Sequence, residues 1–197
     1  MSNLLQDMKA IQRRSEIPLF LKKYEINRRI CEIGVRYGHH LESLKSARPD
    51  LLVGIDHYNV TEDPAQQDTG MPQSKLDEIY RDVVTRFFSI PEIKILRMTS
   101  DYAALIFPIC SLDYVYVDAD HSEKGAYQDI ELWYKKVRQG GILAGHDYID
   151  VKSTAGTEFG VITAVQRFLK EKKIDASCFH HTKEGYKTWM IYKTDGE

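Results

Sequence analysis

Arg29-Ile30-Cys31-Glu32-Ile33-Gly34-Val35-Arg36-Tyr37-Gly38 decides the fold: a short apolar run, an acid near its end, and a glycine turn. The run reads as a strand, and residues 39–47 after it read as a helix. Gly34 permits a tight turn, and Gly38 lets the helix start lie close to a ligand. The same unit recurs downstream. Residues 51–55 form a second strand that ends at Asp56. A third strand, 93–96, leads through Ser100 and Asp101 into a short helix. A fourth, 112–117, runs into Asp118-Ala119-Asp120-His121. A fifth, 142–144, leads into His146-Asp147-Tyr148. Five apolar strands alternating with helices imply an α/β fold, a parallel sheet covered on both faces.

The stretches between strands carry their own signals. Ser74, three residues before Asp77, reads as a capping-box start for a helix with Leu76, Ile79, Val83 and Phe87 on one face. Ser122 can cap the next helix. Its buried stripe would be Ala126, Ile130, Trp133 and Val137, and Gly140-Gly141 would stop it. Phe87, Phe88 and Tyr80 read as a face packed on the sheet. A helix with Val161, Val165 and Phe168 follows, and two short strands near 178–181 and 186–192 close the chain. The first 25 residues read as helical, with Leu4, Leu5, Met8 and Ile11 on one face and Pro18 breaking or restarting the helix. This divides the chain into an N-terminal helical extension, 1–27, and a main domain, 28–197. The polar loop 57–73 is long enough to serve as a lid, and residues 149–159 would form the opposite wall.

Composition narrows the function classes. The 197 residues include 27 basic and 29 acidic side chains, so no global basic field draws nucleic acid. No run approaches the roughly 20 apolar residues of a membrane span. The first ten residues mix Gln6, Asp7 and Lys9 among apolar ones and do not read as a signal peptide. Cys31, Cys110 and Cys178 are too scattered for a disulfide framework or a zinc knuckle. A reduced, cytoplasmic protein is the expectation. The N-terminal helix packs on its own domain or on a second copy of the chain.

In parallel sheets, ligands bind beyond the carboxyl ends of the strands. Glu32, Asp56, Ser100, Asp118, Asp120, His146 and Asp147 all fall there, so the fold would gather them on one rim. A carboxylate at Asp56 can accept the hydroxyls of a ribose or cap its own turn. The first turn has Gly-x-x-x-Gly spacing, with Arg36 where a dinucleotide's pyrophosphate would need a glycine. That favours a nucleoside ligand without a phosphate. Glu32 suits a ligand with an ammonium group, as S-adenosylmethionine has.

Four segments together resemble the small O-methyltransferase-like branch of the class I S-adenosylmethionine-dependent methyltransferases. They are Glu32-Ile33-Gly34 with Gly38, Asp56, Asp118-Ala119-Asp120-His121, and Gly140-Gly141-Ile142-Leu143-Ala144-Gly145-His146-Asp147-Tyr148. The resemblance spans roughly residues 28–192. It implies a Rossmann-like sheet of seven strands, mostly parallel, closed by an antiparallel strand. It implies that Glu32, Gly34 and Gly38 line the methionine part of S-adenosylmethionine and that Asp56 holds the ribose. His57 would lie beside ribose or adenine, Ser100 and Asp101 at the adenine edge, and Asp118 at the sulfonium. In metal-dependent relatives a divalent ion would sit on the counterparts of Asp118, His146 and Asp147. An imidazole at His146 departs from the usual oxygen ligands and points away from magnesium. The alternative role of His146 is general base, with His121 the second candidate. The reaction implied is methyl transfer to a hydroxyl of a small molecule, a sugar or a phenol. The other readings are a cofactor-binding module without turnover and a nicotinamide-dependent oxidoreductase.

Overall fold

The structure, a computed structural model, describes residues 2–60, 70–152 and 158–194. Five parallel strands form its centre: β1 Arg29–Ile33, β2 Leu51–Asp56, β3 Ile93–Arg97, β4 Leu112–Val117 and β5 Val137–Gly145. All six residues of β4 are buried, as expected of a strand covered on both faces. A small hairpin of β6 Asp150–Lys152 and β7 Glu158–Gly160 stands apart. It lacked the alternating pattern that would have announced it. The last two strands, β8 Phe179–His181 and β9 Trp189–Tyr192, pair antiparallel, and β9 also runs antiparallel to β5. The sheet order is β3-β2-β1-β4-β5-β9-β8. The order reverses direction between β1 and β4, which places the ligand crevice above those two strands.

Helices α1 Ser2–Ala10, α2 Ile17–Lys23, α3 His39–Lys45, α4 Gln73–Phe87, α5 Ser100–Ala104, α6 Glu123–Tyr134 and α7 Val161–Glu171 cover the sheet. Pro18 sits in the first turn of α2, where its missing N–H costs nothing. A 3-10 turn at Arg14–Glu16 joins α1 to α2. Met8, Ile17 and Leu21 are fully buried in the same core as the sheet. No described helix is long and apolar enough to cross a membrane.

Three local expectations are corrected. Helix α4 starts at Gln73, behind an extended Pro72, and no side chain caps it. Asp77 instead accepts from Gln73 Nε2 at 2.9 Å and from Arg97 at 2.6 Å. Helix α6 ends at Tyr134, so Val137 and Gly140-Gly141 belong to β5. A Cβ on Gly141 would lie 2.6 Å from the Asp113 carbonyl, and the β4–β5 register shifts there. These glycines form a strand irregularity rather than a helix stop. Phe88 is 85% exposed, while Phe87 is buried, because the helix turns one of two neighbours outward. Ser122 caps α6 as expected, accepting from the Gly125 N–H at 3.0 Å.

Candidate active site

The rim begins at β1. Glu32 and Tyr116 are register partners in adjacent strands, so their side chains share a face. Glu32 is 1% exposed, and its Oε2 has no hydrogen-bond partner among the described residues. Burial pushes its carboxyl well up, and the nearby charges of Asp118 and Asp56 add to this while Arg14 opposes it. The same interactions place Glu32, Asp56 and Asp118 in one neighbourhood.

Gly34 adopts φ +86°, and a Cβ there would lie 1.9 Å from the Asp118 carbonyl oxygen. Its absolute requirement therefore comes from the close approach of the chain leaving β4. Gly38, at φ +73°, faces Phe87 and Val83 of α4, so its helix start is shaped by α4. Asp56 is bound into the turn above it. One oxygen accepts from the N–H groups of Val35 at 3.0 Å and Arg36 at 2.8 Å; the other accepts from the Tyr58 N–H at 2.9 Å. A carboxylate oxygen accepts more than one hydrogen bond, so this clamp leaves capacity for a ribose hydroxyl. His57 accepts through Nδ1 from the Asn59 N–H at 3.0 Å.

Ser100 opens α5. Its hydroxyl accepts from Trp133 Nε1 at 2.8 Å and donates to Asp129, which fastens α5 to α6. The hydroxyl expected at the adenine edge is thus engaged between the two helices. Asp101 is exposed on the first turn of α5, bonded to the Thr99 hydroxyl. The central part of the proposed lid and of the opposite wall lies outside the described residues.

The second half of the rim is a cluster of two carboxylates and two imidazoles. His121 Nε2 lies 3.2 Å from Asp118 Oδ1 and 3.2 Å from Asp147 Oδ2. His146 Nδ1 lies 3.2 Å from Asp147 Oδ1 and 3.6 Å from Asp118 Oδ1. The His121 ring also stacks on Phe159, 5.1 Å between centroids. His121 thus does more than hold the α6 turn; Asp120 fills that role, accepting from the Ser122 N–H at 2.8 Å. Burial raises the Asp118 carboxyl, but hydrogen bonds and charge from His121 and His146 outweigh it and hold Asp118 well below the usual range. Asp147 moves the other way, up, because burial exceeds the help it receives from the same two rings. Its backbone sits at φ +46°, a left-handed conformation costly for a residue with a Cβ.

Asp118, His121 and Asp147 offer ligand atoms all within 4.8 Å of one another. The expected metal set named His146 in place of His121; in the fold His121 joins the tightest group of three, with His146 at its edge. Asp147 Oδ1 is buried and makes no well-aligned hydrogen bond, although His146 Nδ1 lies 3.2 Å away. Two oxygens and imidazole nitrogen fit manganese, iron or zinc better than magnesium.

One contributor was hidden from sequence reasoning. Arg14, in the turn between α1 and α2, lies with a guanidinium nitrogen 3.4 Å from the Tyr116 hydroxyl and 3.9 Å from Asp118 Oδ2. No local motif marks it.

A family model described as a methyltransferase domain matches residues 31–148. No curated protein matches the chain. Among solved structures, an O-methyltransferase from Bacillus cereus in complex with SAH is 14% identical, with a TM-score of 0.61, covering 91% of this chain and 80% of that one. The O-methyltransferase TomG from Streptomyces achromogenes, in complex with SAM, is 16% identical with a TM-score of 0.59, covering 91% and 79%. Spermidine synthase from Thermotoga maritima is 10% identical with a TM-score of 0.55, covering 93% and 60%. At these identities the likeness establishes the fold, and a fold alone does not fix the reaction.

Proposed function

The chain belongs to the methyltransferase-domain family, and from that premise we propose that it moves the methyl group of S-adenosylmethionine to a hydroxyl of a small molecule. The observation that carries this is the adjacency of two sites on one rim. A buried carboxyl with an unpartnered oxygen, Glu32, lies beside a cluster that can handle a hydroxyl proton: Asp118, His121, His146 and Asp147. The donor supplies a methyl group on a positively charged sulfur. Everything else falls to the chain's own side chains.

Glu32 accepts the donor's ammonium, which satisfies its buried oxygen and brings its carboxyl back down. Asp56 fixes the glycine turn and takes a ribose hydroxyl. A neutral alcohol is a weak nucleophile at neutral pH, so its proton must leave during attack. An oxygen of Asp147 takes that proton, helped by His121, whose Nε2–H lies between Asp147 and the ionised Asp118 at 3.2 Å from each. His146 sits against both carboxylates and sets their charge. Asp118, Asp147 and an imidazole would hold a divalent cation, which would lower the hydroxyl's pKa. The acceptor is a free hydroxyl compound rather than nucleic acid, consistent with 27 basic against 29 acidic residues.

Calorimetric titration with S-adenosylmethionine and S-adenosylhomocysteine tests the donor; no heat at millimolar ligand rejects it. Release of S-adenosylhomocysteine across a panel of sugars and phenols, with and without a chelator, tests the acceptor and the cation. Turnover confined to amine or thiol acceptors would overturn the hydroxyl assignment.

A further inference from the structure

Arg14 reaches the rim on a strap. His180 Nε2 donates to the Ile11 carbonyl at 2.7 Å, the Lys183 N–H donates to the Gln12 carbonyl at 3.0 Å, and the Arg14 N–H donates to Glu184 Oε1 at 2.7 Å. Three successive bonds thus fasten residues 11–14 along the β8–β9 hairpin. The guanidinium, only half-buried, arrives beside Tyr116 and Asp118. Next to it stand two buried polar atoms without a hydrogen-bond partner among the described residues: Glu32 Oε2 and His40 Nε2. The His40 ring packs on Tyr116, centroids 4.1 Å apart, and Tyr116 is the register partner of Glu32.

Unsatisfied buried polar atoms are rare in folded proteins and call for an explanation. These two have opposite needs. Once ionised, Glu32 accepts from a cationic group, whereas the neutral His40 ring can donate from Nε2 and Arg14 can only donate. One ligand feature answers all three: an α-amino acid head, with an ammonium and a carboxylate on one carbon. We propose that Arg14, delivered by the strap, and His40 receive the carboxylate of the donor's methionine head, while Glu32 takes its ammonium. This rests on the reading of S-adenosylmethionine as donor. It makes the N-terminal segment part of the cofactor site, and it selects against a donor lacking the carboxylate.

The test compares two ligands by calorimetry. One is S-adenosylhomocysteine. The other is the same thioether with a plain 3-aminopropyl chain, which keeps the ammonium and lacks only the carboxylate. The wild-type chain is expected to prefer the first by roughly 10- to 100-fold, the usual worth of a charge-assisted pair. Arg14→Ala should cut that ratio several-fold, with the loss falling mainly on S-adenosylhomocysteine and His40 keeping the remainder. Arg14→Lys, which keeps a cation, should retain a preference above that of Arg14→Ala. An unchanged ratio in Arg14→Ala, or equal loss for both ligands, overturns the proposal while leaving the donor assignment standing. Absence of binding by wild type to either ligand sinks both together.

Discussion

Asp56 shows how one side chain can serve two purposes. Its position at the end of β2 was readable as a ribose acceptor or as a turn cap, and the structure makes the capping part plain through the Val35, Arg36 and Tyr58 amides. Asp56→Ala removes three charge-assisted bonds at once. Each is worth about 1.5–3 kcal/mol when intact, less where the turn stays wet. We expect loss of S-adenosylhomocysteine affinity of at least tenfold, accompanied by a lower melting temperature; affinity lost with no change in melting would show that the clamp is dispensable to the fold. His121 belongs to the chemistry alone. His121→Asn should cut turnover by roughly 10²–10⁴, the range for a disabled acid–base group, while calorimetry with S-adenosylhomocysteine gives the wild-type constant. Turnover within threefold of wild type would move that role to His146. At this scale Asp118, Asp147 and His146 were legible because they follow apolar runs directly. Arg14 was not, since 102 positions separate it from Tyr116 and only tertiary docking joins them.

At the level of elements, strands were read well and helix boundaries less so. Strands β1 and β4 have the expected limits because short apolar runs bounded by polar residues have few alternatives. The α6–β5 boundary was misplaced because Val137 continues the helical stripe from Trp133 while also opening the strand, and periodicity cannot separate the two. Ser100 has its adenine-edge role from the resemblance alone, and no local pattern announces its bonds to Asp129 and Trp133 on α6. The α5–α6 link makes its own prediction. Burial pushes the Asp129 carboxyl up to about 6, against the bond from Ser100 that favours its charge. The folded state therefore binds a proton more tightly than the unfolded chain. The cost of ionising Asp129 is absent below about pH 4, grows as pH rises, and is complete above about 6. Asp129→Asn keeps an acceptor for Ser100 and never ionises. It should match wild type in thermal unfolding near pH 4.5 and exceed it at pH 8 by about 1–3 kcal/mol, or several degrees. A gain at the acid end instead would mean that the aspartate is charged in the fold and stabilised by its neighbours.

The whole molecule joins parts that a linear reading separates. An extension at 1–27 and a domain at 28–197 is a natural division from composition, because the first strand starts only at Arg29. Physically, Met8, Ile17 and Leu21 have no exposed surface and lie in the core that the sheet also fills. Ile11 and Phe20 join them at 4% and 7% exposure. Burying an apolar side chain of this size contributes about 1.5–3 kcal/mol. Five of them sum to an amount comparable with the roughly 5–15 kcal/mol that holds a domain folded. The strap bonds to His180, Lys183 and Glu184 add to that and, through Arg14, tie the same segment to Asp118. We therefore expect a chain starting at residue 28 to fail as an independent domain: insoluble, or soluble with helical circular dichroism but no cooperative melting. A truncated chain that melts sharply within a few degrees of the full one would mean that the sheet and its remaining helices close their own core. The N-terminal helices would then be a cover rather than a structural wall. Restoring residues 11–27 without α1 separates the two contributions. That chain regains the strap, Ile17, Phe20 and Leu21 but not Met8, so cooperative melting should return at a lowered temperature.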